Sequence, residues 1–551
     1  MSKRNWTKVL GLLLSIMMIA SLVGCGEQNK ETTAAPQPTD KATEAPGTDA
    51  PTDAPTEEAG ITYPLETNVE LRFWSTSALK YNKKFNSAEE SPFHAGLSKN
   101  TGVKINWEFP QSGVSNAQAF NLLLTEKVED MPHIIYYSGA PGQADSYIKD
   151  GLIWDLTDYL PEYAPDYWEY INSNEDYVRD VTTTSGKFYM FAASVEGDLN
   201  ITYKGLVVRK DWLDACGLDI PVTLDDWTEM LTKFKEKYGA TFSSPKAGIG
   251  MASGTGAYAD TEATFYVNDE GKVVFANTQP EYKEFLQKMN QWFNDGLMDP
   301  DFFTNDATAI RNKCANNEVG AMYIGSGTFR NVLADAEGTA AEWIAVPHPV
   351  AKEGDKVTWI QTRQSELVGN GAMITKACSE EELIVALKLL NYAYTEEGHM
   401  YWNFGTLGET YTLDANGNPA WTDLITKDEA GEGTAYKYYT GVGSNGPVVQ
   451  SQKLIALLNQ GEAGNALVQW TANSVAREHC MPAVVLSDGE HLAYWDRMTP
   501  IYSEVSESVT KFILGQKSFD EWDDFVDTLN QMGLPDAQKI QQQAYDAWLE
   551  K

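Results

Sequence analysis

The chain has 551 residues, and 78 Asp and Glu against 42 Lys and Arg give a formal net charge of −36, with 42% hydrophobic and 22% charged residues. At roughly 100–200 residues per domain that length holds two to four domains or a pair of large lobes, with apolar material for more than one core, so disorder of the whole chain is excluded. A surface this acidic repels phosphate backbones and anionic headgroups, which excludes a nucleic-acid grip driven by counterion release and leaves a neutral, cationic or proteinaceous partner.

The N-terminus carries Lys3, Arg4 and Lys8, an apolar run from Val9 through Val23, then Gly24 and Cys25. Basic, then apolar, then small is the layout of an export signal, and the run is shorter than the roughly 20 residues that cross a bilayer. Leu22-Val23-Gly24-Cys25 resembles the lipobox of bacterial lipoproteins, which implies a signal peptide over 1–24 and a lipidated Cys25 on the extracellular face of the cell membrane of a Gram-positive bacterium. From Gly26 to Gly60 the chain is Thr, Ala, Pro, Glu and Asp, with near-repeats such as Thr48-Asp49-Ala50-Pro51 and Thr52-Asp53-Ala54-Pro55. Such a segment cannot bury a core, so 25–60 is expected to be a disordered tether. Cys216, Cys314, Cys378 and Cys480 fall at no C-x-x-C spacing and read as small buried hydrophobes, with no metal site.

Alternation then predicts strands at Val69–Trp74, Val103–Trp107 and His133–Tyr137, with crossover helices near Lys80–Lys99 and Ser115–Lys127. Strand, helix, strand, helix, strand is a parallel sheet, whose ligands sit beyond the carboxyl ends of its strands. That puts Trp74 to Ser77 and Tyr137 to Gly142 on a prospective rim. Thr223 with Asp226, Ser379 with Glu382 and Ser518 with Glu521 predict helix starts. After Pro535, the stripe Ile540, Ala544, Ala547 and Trp548 reads as core packing.

Catalytic signatures are sparse. No histidine is followed by Glu in an H-E-x-x-H arrangement, no G-x-S-x-G elbow occurs, and Gly186-Lys187 and Gly271-Lys272 lack a phosphate-loop pattern. A surface glycoside hydrolase using a carboxylate pair stays open as an alternative. Aromatic content is high, at 16 Trp, 27 Tyr and 20 Phe, much of it beside Gly, Asn and Ser. Sugars suit such surfaces, because a pyranose stacks its C–H face on a ring while its hydroxyls need fixed polar partners. The candidate clusters are Tyr401-Trp402-Asn403-Phe404, Trp359-Ile360-Gln361-Thr362-Arg363, Gly254-Thr255-Gly256-Ala257-Tyr258, and Glu196-Gly197-Asp198 leading to Tyr203.

The order of several motifs resembles a known family. Asp130-Met131-Pro132-His133-Ile134-Ile135, Gly186-Lys187-Phe188-Tyr189, Val208-Arg209-Lys210-Asp211-Trp212-Leu213, Pro221-Val222-Thr223 and Glu396-Glu397-Gly398 resemble the family 1 extracellular solute-binding proteins of bacterial ABC importers. The lipoprotein subgroup related to alginate- and pectin-oligosaccharide binders similarly carries Phe404-Gly405, Gly408-Glu409-Thr410-Tyr411 and Ala544-Tyr545-Asp546. The resemblance implies an α/β, two-lobed, periplasmic-binding-protein-like (type II) fold with an interlobe cleft and hinge. It implies a first lobe over 61–190 and 366–410, and a second over 191–365. The C-terminal part, 411–551, is expected mainly among second-lobe helices, with crossings near Phe188–Asn200 and Gln364–Met373.

By that likeness the protein is a monomeric, non-enzymatic binder without cofactor. It captures a neutral or uronic oligosaccharide by hinge closure and delivers it to ABC permease subunits; a peptide ligand is the other alternative. Expected contacts are Trp74, Tyr137, Glu196, Asp198, Tyr258, Gln361, Arg363 and Trp402, with Arg363 suited to pair a uronate, while Trp212 is expected to pack. Relatives often carry a calcium loop after the helix ending near Tyr238. Here Gly239-Ala240-Thr241-Phe242-Ser243-Ser244-Pro245 lacks side-chain carboxylates, so no calcium is expected there.

Overall fold

The computed structural model describes residues 60–76, 84–111, 114–138, 143–197, 202–244, 265–302, 304–357, 366–442 and 446–551. Cys25 with the signal and tether, Asp198, Tyr258, Gln361 and Arg363 lie outside the described residues. In chain order the strands are β1 (Glu70–Ser75), β2 (Lys104–Glu108), β3 (Ile134–Ser138), β4 (Phe191–Val195), β5 (Lys204–Arg209), β6 (Thr241–Ser243), β7 (Phe265–Val267), β8 (Val273–Phe275), β9 (Val319–Gly325), β10 (Trp343–Val346), β11 (Leu367–Ile374), β12 (Tyr411–Leu413), β13 (Pro419–Trp421) and β14 (Val449–Gln450).

Apolar alternation makes the first strands. β1 pairs in parallel with β2 and with β3, setting Leu71 opposite Ile105 and Phe73 opposite Ile134, and all four side chains are buried. Parallel neighbours need crossovers, supplied by helices Pro92–Thr101 and Asn116–Leu123. The first starts later than the periodicity suggests, because Pro92 presets the first helical turn, and it ends where Gly102 takes φ 74°. The finished sheet has the order β14-β4-β11-β3-β1-β2, and β11 alone runs against its neighbours.

A second sheet, β10-β5-β9-β6, has β5 antiparallel to both its neighbours and β6 parallel to β9. Each sheet has its own core. Phe73, Phe93, Ile134, Tyr167, Phe191 and Leu387 gather on the first, while Trp227, Phe234, Phe242, Trp292, Met498 and Phe512 gather on the second. Two cores joined by a few chain passes make two lobes. Trp212 is buried in the second core and stacks on Tyr238 at 4.1 Å, a packing residue.

All three expected capping boxes form, at Thr223/Asp226, Ser379/Glu382 and Ser518/Glu521. The last helix, Leu534–Glu550, buries Leu534, Ala537, Gln541, Ala544 and Trp548. Ala547 is exposed instead of sharing that stripe, because it stands about 100° round the helix from Trp548. β14 adds a third pass into the first sheet. Ahead of it, Gly441 and Gly446 lie so close on Trp402 that a Cβ would stand 2.0 and 2.5 Å from its ring atoms. This part of 411–551 therefore packs on the first lobe.

Candidate functional site

Connectivity decides which edges of the lobes face each other. The chain leaves the first sheet at the carboxyl end of β4 and enters the second at the start of β5, beside the carboxyl end of β9. It leaves the second sheet after β10 and returns at the start of β11. The facing edges therefore carry the carboxyl ends of β1, β2, β3, β4 and β14 on one side and of β6, β9 and β10 on the other. In α/β sheets, that edge binds ligands.

The passes between lobes are tied together. Val195 N donates to Glu366 O at 2.9 Å, Ser194 N to Val448 O at 2.9 Å and Glu196 N to Gln450 O at 2.9 Å. Side chains extend the knot: Gly197 N donates to Glu366 Oε1 at 3.0 Å, the Tyr177 hydroxyl to Glu366 Oε2, and Gln452 N to Glu196 Oε2 at 2.9 Å. His399 Nε2 stands 3.5 Å from Glu196 Oε1, and burial, only partly opposed by Glu196, holds the imidazole below its ordinary range. Burial, then the Glu366 carboxylate, drives the Tyr177 phenol well up. Gly197 sits at φ 64°, and a Cβ there would overlap Gln452 Nε2 at 1.4 Å. Glu196, expected to touch ligand, thus has both carboxylate oxygens turned to the hinge.

Of the expected aromatics, Trp74 and Tyr137 come together at the ends of β1 and β3, edge to face with centroids 6.5 Å apart, but Trp74 is 4% exposed within the first core, so it backs Tyr137 instead of offering a ring to ligand. Tyr137 is half-buried and stacks on Phe120 at 4.3 Å, and burial raises its phenol. Trp402 needs correcting as a stacking platform. It is 3% exposed, clamped between Phe93 at 5.0 Å and the Gly441 and Gly446 backbone, so no ring face is free.

Two groups on the same edges escaped the sequence reading. Trp107 and Phe109 are half-buried and parallel, 6.4 Å apart, with Phe73 stacked on Trp107 at 4.5 Å. Across from them, Gly325-Ser326-Gly327-Thr328 turns β9 into helix Ser326–Ala336, and Ser326 N donates to Tyr203 O at 2.9 Å. An apolar strand ending in a Gly/Ser loop was the signal for the second group, and aromatics at alternate positions across a strand's carboxyl end for the first.

Among the described residues no group of three or more His, Cys, Asp or Glu is arranged to hold a metal. Ser243, at the end of β6, instead joins a nest around Asp299. Ser243 Oγ and Asn305 Nδ2 each donate to Asp299 Oδ2 at 2.8 Å, and the Lys313 ammonium lies 2.7 and 2.8 Å from the two Asp299 oxygens. Burial alone would raise the Asp299 carboxyl, yet Lys313, then Asp301 N, Ser243 and Asn305, together hold it below the usual range.

The model of the bacterial extracellular solute-binding protein family matches residues 82–400, more than half of the chain, and the chain belongs to that family. It is a solute-binding protein, not an enzyme. Among named relatives it is similar to the lipoprotein LipO of Bacillus subtilis, 24% identical over 348 residues covering 59% of this chain and 65% of LipO. It is also similar to the fructooligosaccharide ABC transporter substrate-binding protein FusA of Streptococcus pneumoniae, 23% identical over 526 residues, 89% of this chain and 92% of FusA. Among solved structures, an EF-hand mutant of FusA in complex with fructo-nystose superposes with a TM-score of 0.71 at 20% identity, covering 88% of this chain and 100% of that one. The alginate-binding protein AlgQ2, crystallised without calcium ion, gives 0.69 at 19% identity, covering 88% and 99%. These likenesses establish the two-lobed α/β fold.

Proposed function

We propose that this protein is the substrate-binding subunit of an ABC importer, that it captures an oligosaccharide between its lobes by hinge closure, and that lipid on Cys25 anchors it to the extracellular face of the membrane. The observation that carries the reading is the pair of facing strand edges, furnished on the first lobe with the half-buried rings of Tyr137, Trp107 and Phe109. Rings on one side and hydroxyls and amides on the other are what a sugar needs. The names of FusA and AlgQ2 support a saccharide, neutral or uronic, and the name of LipO supports the anchor. Asp198, Tyr258, Gln361 and Arg363 remain proposed contacts, with Tyr137 as the floor and the buried Trp74 packed behind it. The first lobe is proposed to span 61–195, 366–410 and the stretch up to Gln450, and the second most of the rest.

A ligand bound only by the folded state raises its stability by RT ln(1 + [L]/Kd). Thermal-shift screening of the purified protein against neutral and uronic oligosaccharides is expected to give a shift confined to a few glycans. A cooperatively folding sample that responds to none of them would overturn the saccharide reading. For the anchor, Cys25→Ser is expected to release the protein from the membrane fraction of cells that make it; unchanged membrane retention would refute lipidation there.

A further inference from the structure

Away from the backbone passes, the two lobes also meet through contacts in which at least one partner is a side chain. Helix Ala144–Lys149 belongs to the first core through Ala144 and Tyr147, whereas helix Asp488–Ile513 belongs to the second through Tyr494, Met498 and Ile501. Between them the Ser146 hydroxyl donates to Asp488 Oδ2, and Gln143 Nε2 lies 3.3 Å from His491 Nδ1. Because the Tyr147 hydroxyl donates to Gln143 Oε1, the amide nitrogen is left to donate to His491, which fixes the accepting nitrogen as Nδ1.

A second patch continues the first. Asp145 accepts from Thr184 Oγ1 at 2.5 Å and from Ser185 N at 3.2 Å, and Lys551 Nζ, just past the last helix, donates to the adjoining Thr183 O at 3.3 Å. Trp548 Nε1 donates to Asp180 Oδ1 at 3.4 Å, while the Arg179 guanidinium covers the Trp548 ring at 5.1 Å. Helix Ala144–Lys149 follows the carboxyl end of β3, so this bridge flanks the cleft edge, and rotation of the lobes about the passes must part or shear it.

We propose that the bridge is a latch for the closed form, in which Ser146, Gln143, Asp488 and His491 are positioning residues that set ligand affinity without touching ligand. The proposal rests on the reading that closure traps the ligand. The latch is balanced to be weak by itself. Closing gives Asp488 Oδ2 a hydroxyl donor but leaves Oδ1 buried without a partner among the described residues, so half of the carboxylate's hydration is lost uncompensated. A bistable element of this kind lets a ligand with modest differential affinity decide the state.

The test uses Ser146→Ala, which keeps a good helix former, and Asp488→Asn, which keeps one acceptor oxygen. Small-angle scattering of the ligand-free full chain is combined with dissociation rates for kestose and for an oligogalacturonate. Ser146→Ala is expected to enlarge the ligand-free radius of gyration and to speed dissociation on the order of tenfold, as loss of a hydrogen bond to a charged group implies. Its Tm should stay unchanged, and Asp488→Asn, which keeps an acceptor but removes its charge, should fall between Ser146→Ala and wild type. Equal radii and equal dissociation rates for Ser146→Ala and wild type would overturn the latch. If neither sugar binds the wild type, the scattering comparison alone decides the latch, and the saccharide reading is left to the thermal-shift panel.

Discussion

The lobes are joined in two physically different ways. At the passes, hydrogen bonds run largely between backbone groups of strands that continue from one lobe to the other, with Glu366 and Glu196 filling the remaining donors. At the flanking bridge, every contact is made by a side chain, and nothing covalent crosses it. A backbone knot survives rotation of the lobes because its partners turn together, whereas a side-chain bridge can be present in one state and gone in another. The first should bear on folding alone, the second also on which state the folded protein occupies.

That division can be broken by substitution. Trp548→Ala removes the ring beneath Arg179 and the donor to Asp180. It is expected to cost about 3 kcal/mol of unfolding free energy and also to expand the ligand-free particle, measured by urea titration and scattering. Glu366→Ala leaves Gly197 N and the Tyr177 hydroxyl without their acceptor and should cost about 2 kcal/mol. Ligand dissociation should be unaltered; a faster rate would put the knot, too, in control of closure. Gly197→Ala forces a side chain into the left-handed region and pushes the end of Gln452 aside, for about 1 kcal/mol, again without effect on dissociation.

The smallest effect is a pH dependence. His399 at the knot and His491 at the bridge are both held below the ordinary value of 6.5 by burial, with Glu196 and Asp488 respectively opposing. The unfolded chain therefore takes up these protons first, and stability present above pH 6.5 is lost as pH falls below it toward the folded values. His399→Gln should flatten the decline in stability between neutral and mildly acid pH, whereas His491→Gln should flatten any decline in ligand affinity. Exchange of those two phenotypes would contradict the division.

Much of both lobes was legible because the first lobe's strands alternate and helices in each carry their own caps. Leu71, Phe73 and Ile105 announce a half-buried sheet, and Thr223, Ser379 and Ser518 announce helix starts, both being local signals. The pass at Val449–Gln450 was not legible, since two residues between Gly446 and a helix carry no periodicity and their partners lie far away in sequence. Trp402 misled for a related reason. An aromatic next to Asn and near glycines reads as an exposed platform, but here the distant Gly441 and Gly446 close over it. Trp548 was rightly taken as a packing residue, yet its spacing could not tell that the surface it packs on belongs partly to the other lobe. Latch residues such as Ser146 and His491 had no signal, because hydroxyls and imidazoles on helix surfaces are commonplace until a partner lobe arrives.

Lys313 also sets how the second lobe relates to its medium. The charge that balances Asp299 is delivered by the chain itself, so it arrives in fixed proportion and cannot be diluted, exchanged or scavenged. A nest filled that way is expected to keep its shape in the presence of a chelator, an unchanged Tm with and without EDTA being the check.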